Sequence, residues 1–196
     1  MSNGSLMTAP NMRRRLKALR ERGGRAVVID PRRSETAAVA EHVFIRPGTD
    51  ALMLLSLVNV LFEENLVRPG RLSEHLAGTR ALRAAAAGHP PERTAAVTGV
   101  APQTVRGLAR ALASTERAVP YARTGACTQE LGGLATWLVL AGNALTGHLD
   151  EPGGYMLTTP AIDLIPLART IGQTGSFAAY RSRVRGLPEF GGERPR

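Results

Sequence analysis

The sequence is poor in cysteine, aromatic residues and lysine. Its single cysteine, Cys127, excludes an intrachain disulfide and cannot supply the four closely spaced thiolates that an iron–sulfur cluster normally takes. Aromatic residues make up only 4% of the chain, which is few for stacking against bases. Lys17 is the only lysine among 25 basic residues, so scattered arginines carry the net charge of +9. We therefore predict no nucleic-acid partner.

Long hydrophobic segments are also missing. The longest apolar run, residues 51–62, is interrupted by Ser56 and Asn59 and is well short of the roughly 20 residues that cross a bilayer. It predicts a buried helix and no membrane span. The N-terminus has no apolar signal-peptide core, so we expect a cytoplasmic location unless a longer parent carries an export signal upstream. With 43% hydrophobic and 21% charged residues, the chain can form one domain, or one domain with an extension.

Residues 23–50 contain two strand-then-helix units in succession. Residues 26–29 are apolar and rich in β-branched side chains, and Asp30-Pro31 ends this strand because proline has no N–H to donate. Ser34 can begin a helix, and residues 43–45 predict a second strand. The turn at residues 47–50 follows, and its Asp50 can cap the next helix.

This alternation predicts an α/β fold with a doubly wound, mostly parallel sheet and helices on both faces. Ligands of such sheets bind at the carboxyl ends of the strands, where both acidic turns fall. Asp30 and Asp50 could accept hydrogen bonds from a ribose or a purine, and Arg32 and Arg33 could bind phosphate oxygens. The spacing is equally compatible with acids that only cap turns and arginines that are solvated.

A third unit of the same kind is predicted near residue 120. Residues 118–122 form a strand candidate, followed by a turn at residues 123–125. A helix from Glu130 would then place an apolar stripe against the sheet. Gly132 and Gly133 weaken this helix, and either a close approach or a loose first turn explains them. The predicted stripe consists of Leu134, Trp137, Leu138, Ala141 and Leu145.

The remaining segments predict helices and a tail. Residues 12–19 carry apolar side chains at helical spacing, which predicts an amphipathic helix whose outer face is charged. A helical insertion is expected at about residues 66–115, with a buried stripe of Val105, Leu108, Ala109 and Leu112. We predict one partial dinucleotide-binding α/β domain over residues 1–154. Residues 155–196, rich in proline, glycine and threonine at first, are expected to be extended or poorly ordered.

Three sequence segments, IDPRRSETA, FIRPGTDAL and LTGHLDEPGG, carry a specific resemblance. Together they resemble the molybdopterin oxidoreductase family, whose members include formate dehydrogenases and periplasmic nitrate reductases. His148 stands where the family often has asparagine, while the residues around it match. The resemblance implies a molybdopterin guanine dinucleotide cofactor with molybdenum. The residues it implies for binding this cofactor are Asp30, Pro31, Arg32, Arg33, Gly48, Thr49, Asp50, Thr124, Gly125, Thr128 and Gln129.

The resemblance also implies that the chain is an internal fragment of a larger, formate dehydrogenase-like enzyme. In that family a 4Fe–4S segment and a molybdenum ligand lie upstream, and a cofactor-binding β-barrel lies downstream. We therefore expect the cluster in the parent only, and we expect no turnover by this chain alone. Its partners would be the missing N- and C-terminal portions of the parent and an electron-transfer partner. The alternative is a stand-alone nucleotide-binding or assembly module without catalysis.

No residue of this chain is assigned a catalytic or metal-binding role. Cys127 follows the wrong strand to ligate molybdenum, so we predict that it packs as a small apolar residue or makes a peripheral cofactor contact. The four histidines are widely separated and show no metal-ligand spacing. Gly153 and Gly154 favour either a sharp turn or an approach to a bulky ligand. Finally, the face that meets absent domains should expose apolar surface.

Overall fold

The structure is a computed structural model that describes residues 6, 9–156, 161–162, 167 and 170–172. The chain divides into two compact units, Met1–Met156 and Leu157–Arg196. The fold described below is that of the first unit. The prediction that residues 155–196 are extended or poorly ordered falls almost entirely on residues outside those described.

The first unit begins with a helix, which two short strands follow with a short helix between them. Helix α1 (Met12–Glu21) is followed by β1 (Val27–Ile29), α2 (Glu35–Ala38) and β2 (Glu41–Val43). The strands pair in parallel, with Val27 opposite Glu41 and Ile29 opposite Val43. Ser34 caps α2 as predicted, because its Oγ accepts a hydrogen bond from the Ala37 N–H at 3.3 Å.

Helix α3 (Asp50–Glu63) is the centre of the core, which confirms the predicted buried helix. Met53, Val60 and Leu61 are fully buried in it. It packs against α4 (Thr79–Ala87), α5 (Pro91–Thr98) and α6 (Pro102–Ser114), after a 3-10 turn at Gly70–Leu72. Helices α5 and α6 each begin with proline, whose missing N–H costs nothing at the first helical position. The predicted stripe of α6 is confirmed, with Leu108 only partly buried.

Two further helices complete the unit, α7 (Thr124–Cys127) and α8 (Gly132–Leu145). Gly132 is needed where they meet, because an added Cβ would overlap the carbonyl group of Cys127. Close approach of a neighbouring element therefore explains Gly132, whereas Gly133 has open space around its Cα. Of the helices in the described part of the chain, none combines the length and the apolarity that crossing a membrane requires.

The structure corrects the predicted sheet. Within residues 9–156 the strands form a two-stranded parallel sheet, so the larger doubly wound sheet is not confirmed. Residues 118–122 form no strand; the segment is instead held to α8, where Asn143 Nδ2 donates to the Pro120 carbonyl at 3.0 Å. Strand β2 also ends at Val43, earlier than predicted, and Ile45 beyond it is fully buried in the helical core.

The predicted stripe of α8 is wrong at two positions. Leu134 and Trp137 are exposed, and the inner face carries Ala135, Leu138 and Val139 together with Gly132 and Gly142. Gly132 allows α8 to approach α7 closely, whereas a Cβ added at Gly142 would meet nothing within 4 Å. A helix that is apolar all round leaves its rotation undetermined by hydrophobicity alone.

Candidate functional site

The first turn of the candidate site follows β1. Asp30 is only 1% exposed, and its Oδ1 accepts a hydrogen bond from the Arg32 N–H at 2.8 Å. The Asp30 N–H donates to Val43 O at 3.1 Å, and His42 Nε2 lies 2.9 Å from Asp30 O. The turn is therefore fastened to β2 through both backbone groups of Asp30.

Two arginine side chains project from this turn. Arg32 and Arg33 are both exposed, next to the half-buried Pro31. Arg32 lies 3.9 Å from Glu35 in a solvent-exposed pair, which is a weak interaction. Arg33 makes no hydrogen bond or ion pair within the described part of the chain. Both guanidinium groups are available to an anionic ligand.

The second turn follows β2 and leads into α3. Gly48 has φ +80, a conformation that favours glycine. Thr49 Oγ1 donates to Arg46 O at 2.7 Å, so this hydroxyl closes the turn and does not cap α3. Asp50, predicted as the cap, is the first residue of the helix and is 5% exposed.

Arg46 anchors the second turn and was not predicted from the sequence. Its Nη1 donates to Ala96 O at 2.6 Å, and its backbone N–H donates to Thr98 O at 2.8 Å. An added Cβ on Gly99 would lie 3.4 Å from the Arg46 side chain. The C-terminal end of α5 thus fixes where the second turn sits. The RPGTD segment could have drawn attention to Arg46, but its partners lie in a distant part of the chain.

The third turn is built from α7 and the residues after it. Thr128 Oγ1 donates to Thr124 O at 2.9 Å, and Gln129 Nε2 donates to Gly125 O at 3.0 Å. All but the half-buried Gly125 are exposed. An added Cβ on Gly48 would lie 3.6 Å from Gln129 Oε1, so the second and third turns are neighbours.

The structure therefore brings the predicted residues of the three turns to one region, which we call the cradle. The first turn lies beside the end of β2, where the Asp30 N–H donates to Val43 O. The second turn begins four residues further along the chain, and its Gly48 lies beside Gln129 of the third turn. The cradle consists of Asp30, Pro31, Arg32, Arg33, Gly48, Thr49, Asp50, Thr124, Gly125, Thr128 and Gln129. The two aspartates of the cradle are buried. The groups that it exposes are the guanidinium groups of arginine, the hydroxyl groups of threonine and the amide group of glutamine.

This set of donors fits a ligand that carries phosphate and hydroxyl groups. Guanidinium groups bind phosphate oxygens in bidentate fashion, and the second amide hydrogen of Gln129 can donate to a sugar or phosphate oxygen. The hydroxyl groups of Thr49 and Thr128 already donate to backbone carbonyls, so they can accept a hydrogen bond from a ligand hydroxyl. Because Gly48 has no side chain, its backbone faces Gln129 with no Cβ between them. Arg123, directly before Thr124, is exposed and adds a cationic group beside the third turn.

Cys127 does not pack as a small apolar residue. It is exposed, and its Sγ lies 3.2 Å from Thr136 Oγ1. The prediction that Cys127 packs as a small apolar residue is therefore wrong. The alternative, a peripheral contact with the cofactor, stays a prediction. Among the described residues, no group of three or more His, Cys, Asp or Glu side chains could hold a metal ion.

The loop after α8 is a structural element and not part of the cradle. His148 is buried, with Nδ1 2.8 Å from Thr146 Oγ1 and Nε2 2.8 Å from Thr115 O. Gly153 has φ +87, and an added Cβ on Gly154 would overlap the His148 carbonyl. These glycines therefore serve a sharp turn that pairs Leu149 with Tyr155.

Two surface pockets, of about 310 and 250 Å³, are lined by residues outside the cradle.

Comparison with known proteins shows the class of protein to which the chain is related. No family model matches the chain. It is 30% identical over 136 residues to "Probable oxidoreductase YoaE" of Bacillus subtilis, covering 69% of this chain and 20% of that protein. It is 32% identical over 132 residues to formate dehydrogenase H of Escherichia coli, covering 66% and 18%. Acetylene hydratase from Pelobacter acetylenicus is similar in structure, with a TM-score of 0.65 and 26% identity over 69% of this chain and 19% of that one.

Two of these relatives are oxidoreductases by name, the probable oxidoreductase and the formate dehydrogenase. The chain belongs to the molybdopterin oxidoreductase family, and the resemblance seen in its sequence is confirmed. It spans about a fifth of the length of the curated relatives it matches.

Proposed function

We propose that this chain forms part of the molybdopterin guanine dinucleotide cradle of a molybdopterin-dependent oxidoreductase with a formate dehydrogenase-like parent. The observation that carries the proposal is the approach of Gly48 to Gln129, which joins turns from two distant parts of the chain. The relatives support the general class, because they are members of molybdopterin enzyme families. The molybdenum held by the bound cofactor would supply two-electron redox chemistry, and the 4Fe–4S cluster would belong to the parent.

Each part of the cradle has a proposed role. Arg32 and Arg33 would bind the phosphates, since their guanidinium groups are exposed and Arg33 is unpaired within the described residues. The carboxylates of Asp30 and Asp50 would accept hydrogen bonds from the guanosine end. Gly48 and Gly125 would let the backbone approach the ligand. Thr49, Thr124, Thr128 and Gln129 would supply hydroxyl and amide groups, with Pro31 holding the first turn rigid.

A stand-alone cofactor-binding or assembly module is the second candidate. The buried core of α3, α5, α6 and α8 supports it, because these helices already form a packed body within residues 9–156. Such a module would hold the dinucleotide without performing the redox reaction. In both candidate functions the chain binds the dinucleotide at the cradle. They differ in whether the chain is part of a larger redox enzyme or a stand-alone module.

The experiment for the cradle is to express the chain in a host that makes the molybdenum cofactor and to measure what it retains. Bound pterin is assayed by fluorescence after oxidation, and guanine nucleotide by mass spectrometry. The double variant Arg32→Gln/Arg33→Gln removes two exposed charges. Asp30→Ala is a poorer choice, because Asp30 also holds the Arg32 N–H and its loss disturbs the turn.

We expect the double variant to retain at least about tenfold less guanine nucleotide than the wild-type chain, since a hydrogen bond to a charged group contributes roughly 1.5–3 kcal/mol. The matched control is Arg14→Gln/Arg15→Gln, which removes two exposed arginines from α1. The control should retain the wild-type amount. Equal retention by the two double variants, or no retention by the wild-type chain, would contradict the proposed cradle.

A further inference from the structure

Phe44 is an exposed aromatic residue directly after β2. It is 54% exposed, whereas its neighbours Val43 and Ile45 pack in the core. Side chains of an extended chain alternate between its two faces, so Phe44 faces away from the core that holds its neighbours. The residue therefore offers a flat apolar surface to a ligand.

Phe44 lies beside the first turn of the cradle. The Asp30 N–H donates to Val43 O at 3.1 Å, and this carbonyl belongs to the peptide bond that joins Val43 to Phe44. The hydrogen bond continues the parallel pairing of Ile29 with Val43 by one residue. Asp30 and Phe44 are therefore adjacent residues on neighbouring chain segments.

The second turn is equally close to Phe44 along the chain. Only Ile45 and Arg46 separate Phe44 from the turn at residues 47–50. Ile45 is fully buried, and Arg46 is fixed to α5 by two hydrogen bonds. The backbone on both sides of Phe44 is thus held in place between the first and second turns. A contact surface that is ordered before binding costs less to use than a mobile one.

The surroundings of Phe44 suit a single nucleobase. Every base has a π-face, so an aromatic side chain can stack on it whatever its edge carries. Guanine also has N–H donors on its edge, which a carboxylate can accept. The low aromatic content of the chain argues against binding a nucleic-acid strand, which needs successive platforms, but one ring is enough for the one guanine of a dinucleotide.

We infer that Phe44 is the stacking platform for the guanine of the bound dinucleotide. The inference rests on the proposed function and adds to it a base-binding residue that the family resemblance does not assign. The phenyl ring covers one face of the base beside the Asp30 turn. The phosphates then lie toward the exposed guanidinium groups of Arg32 and Arg33.

The test compares a ligand that has the base with one that lacks it. Guanosine diphosphate carries both base and phosphates, whereas inorganic pyrophosphate carries the phosphates alone. Phe44→Ala removes the ring, and Phe44→Tyr retains it. The matched control is Trp137→Ala, because Trp137 is an aromatic residue of similar exposure, 51%, on α8 and outside the cradle. Neither residue is buried, so all three variants should fold as the wild-type chain does.

We expect Phe44→Ala to bind guanosine diphosphate about tenfold more weakly than the wild-type chain, through the loss of one base–aromatic stack. Its affinity for pyrophosphate should be unchanged. Phe44→Tyr and Trp137→Ala should bind guanosine diphosphate as the wild-type chain does. In the wild-type complex, nuclear Overhauser effects should connect the ring protons of Phe44 to the H8 proton of guanine.

Two results would overturn the stacking role of Phe44. One is an equal affinity of Phe44→Ala and the wild-type chain for guanosine diphosphate, or an equal loss for pyrophosphate. The other is a set of nuclear Overhauser effects from the Phe44 ring to a second copy of the chain in place of guanine.

Backbone amide shifts in the same titrations separate this inference from the proposed function. Saturable shifts in all three turns, with an unchanged affinity of Phe44→Ala, would overturn the stacking role and leave the cradle in place. Contacts between the Phe44 ring and guanine, without shifts in the second and third turns, would overturn the three-turn cradle and leave the stacking role in place. An absence of guanosine diphosphate binding would overturn both.

Discussion

Gly132 and Gly133 are adjacent in sequence and differ completely in their surroundings. An added Cβ at Gly132 would overlap backbone atoms of Cys127, whereas at Gly133 nothing lies within 4 Å. Backbone cannot move aside as a flexible side chain can. The close contact between α7 and α8 therefore depends on one of these two glycines, and this contact also positions Thr128 and Gln129.

We predict opposite effects for alanine at these positions. Gly132→Ala should lower the free energy of unfolding by about 1–3 kcal/mol, the usual cost of overpacking. Gly133→Ala should leave it unchanged or raise it by about 0.5–1 kcal/mol, because alanine favours a helix interior over glycine. Urea unfolding of both variants measures the difference. Equal stability of the two variants would show that α7 and α8 do not meet as described.

Asp30 has a structural role in addition to its proposed binding role. Its Oδ1 accepts the Arg32 N–H, and the residue is almost completely buried. We predict that Asp30→Ala lowers the free energy of unfolding by about 1–3 kcal/mol, because the partly buried Arg32 N–H loses its acceptor. Asp30→Asn, which retains an acceptor oxygen, should lose less. Thermal unfolding of both variants checks this order, and a reversed order would contradict it.

At the scale of elements, an ion-pair network joins the middle of α6 to the C-terminal end of α3 and the first turn of α5. Arg110 Nε lies 2.6 Å from Glu64 Oε2, just after α3, and Arg106 Nη1 lies 3.1 Å from Glu64 Oε1. Arg106 also binds Glu92 of α5 at 3.0 Å. The hydrogen bond from Arg110 is the main cause that lowers the pKa of Glu64; burial opposes it, and Arg106 lowers the pKa further.

The sign of this shift sets a pH dependence. Because the pKa of Glu64 is lower in the folded state, its stabilising effect is complete above the ordinary value of about 4.5 and is lost as the pH falls through the lower folded value. We predict that Glu64→Gln lowers the free energy of unfolding at pH 7 by about 0.5–1 kcal/mol. The difference from wild type should shrink below about pH 4.

Glu116→Gln is the control for this prediction. Its carboxylate is 90% exposed and lies 3.9 Å from Arg117, so its loss should change stability little at any pH. Denaturant unfolding between pH 3 and pH 7 is the measurement. A Glu64→Gln difference that does not vary with pH would show that the network does not hold this carboxylate.

The elements also show what could be predicted of the fold. Strand β1, the Ser34 cap, α3 and the stripe of α6 follow from local patterns, because each depends on a few neighbouring residues. The rotation of α8 does not, since nearly every residue of α8 is apolar or small. Residues 118–122 resemble a strand, yet a strand also needs a partner at its edge, and this segment pairs instead with the Asn143 side chain.

The candidate site was predictable only in pieces. The first two turns follow from the strand ends, and the family resemblance extended the prediction to the third. The approach of Gly48 to Gln129 depends on how α7 and α8 pack, which no local pattern contains. The anchoring of Arg46 on Ala96 and Thr98 is likewise a product of tertiary packing.

At the scale of the whole molecule, the chain corresponds to about a fifth of its relatives. We predict that the purified 196-residue chain alone shows no substrate-dependent dye reduction with formate, nitrate or dimethyl sulfoxide. Its one cysteine cannot hold an iron–sulfur cluster, and a large part of the cofactor site would come from the rest of the enzyme. The assay is run anaerobically on cofactor-loaded protein. Turnover above that of a cofactor-only control would contradict the prediction.

The central claim is that three separate turns form one binding site. It is tested most directly by an NMR titration of the 20.8-kDa chain with guanosine diphosphate, which stands for the nucleotide end of the cofactor. We predict saturable shifts, with one common affinity, of backbone amides at residues 30–33, 48–50 and 124–129. No shifts, shifts confined to one turn, or shifts confined to the arginines of α1 would contradict the account.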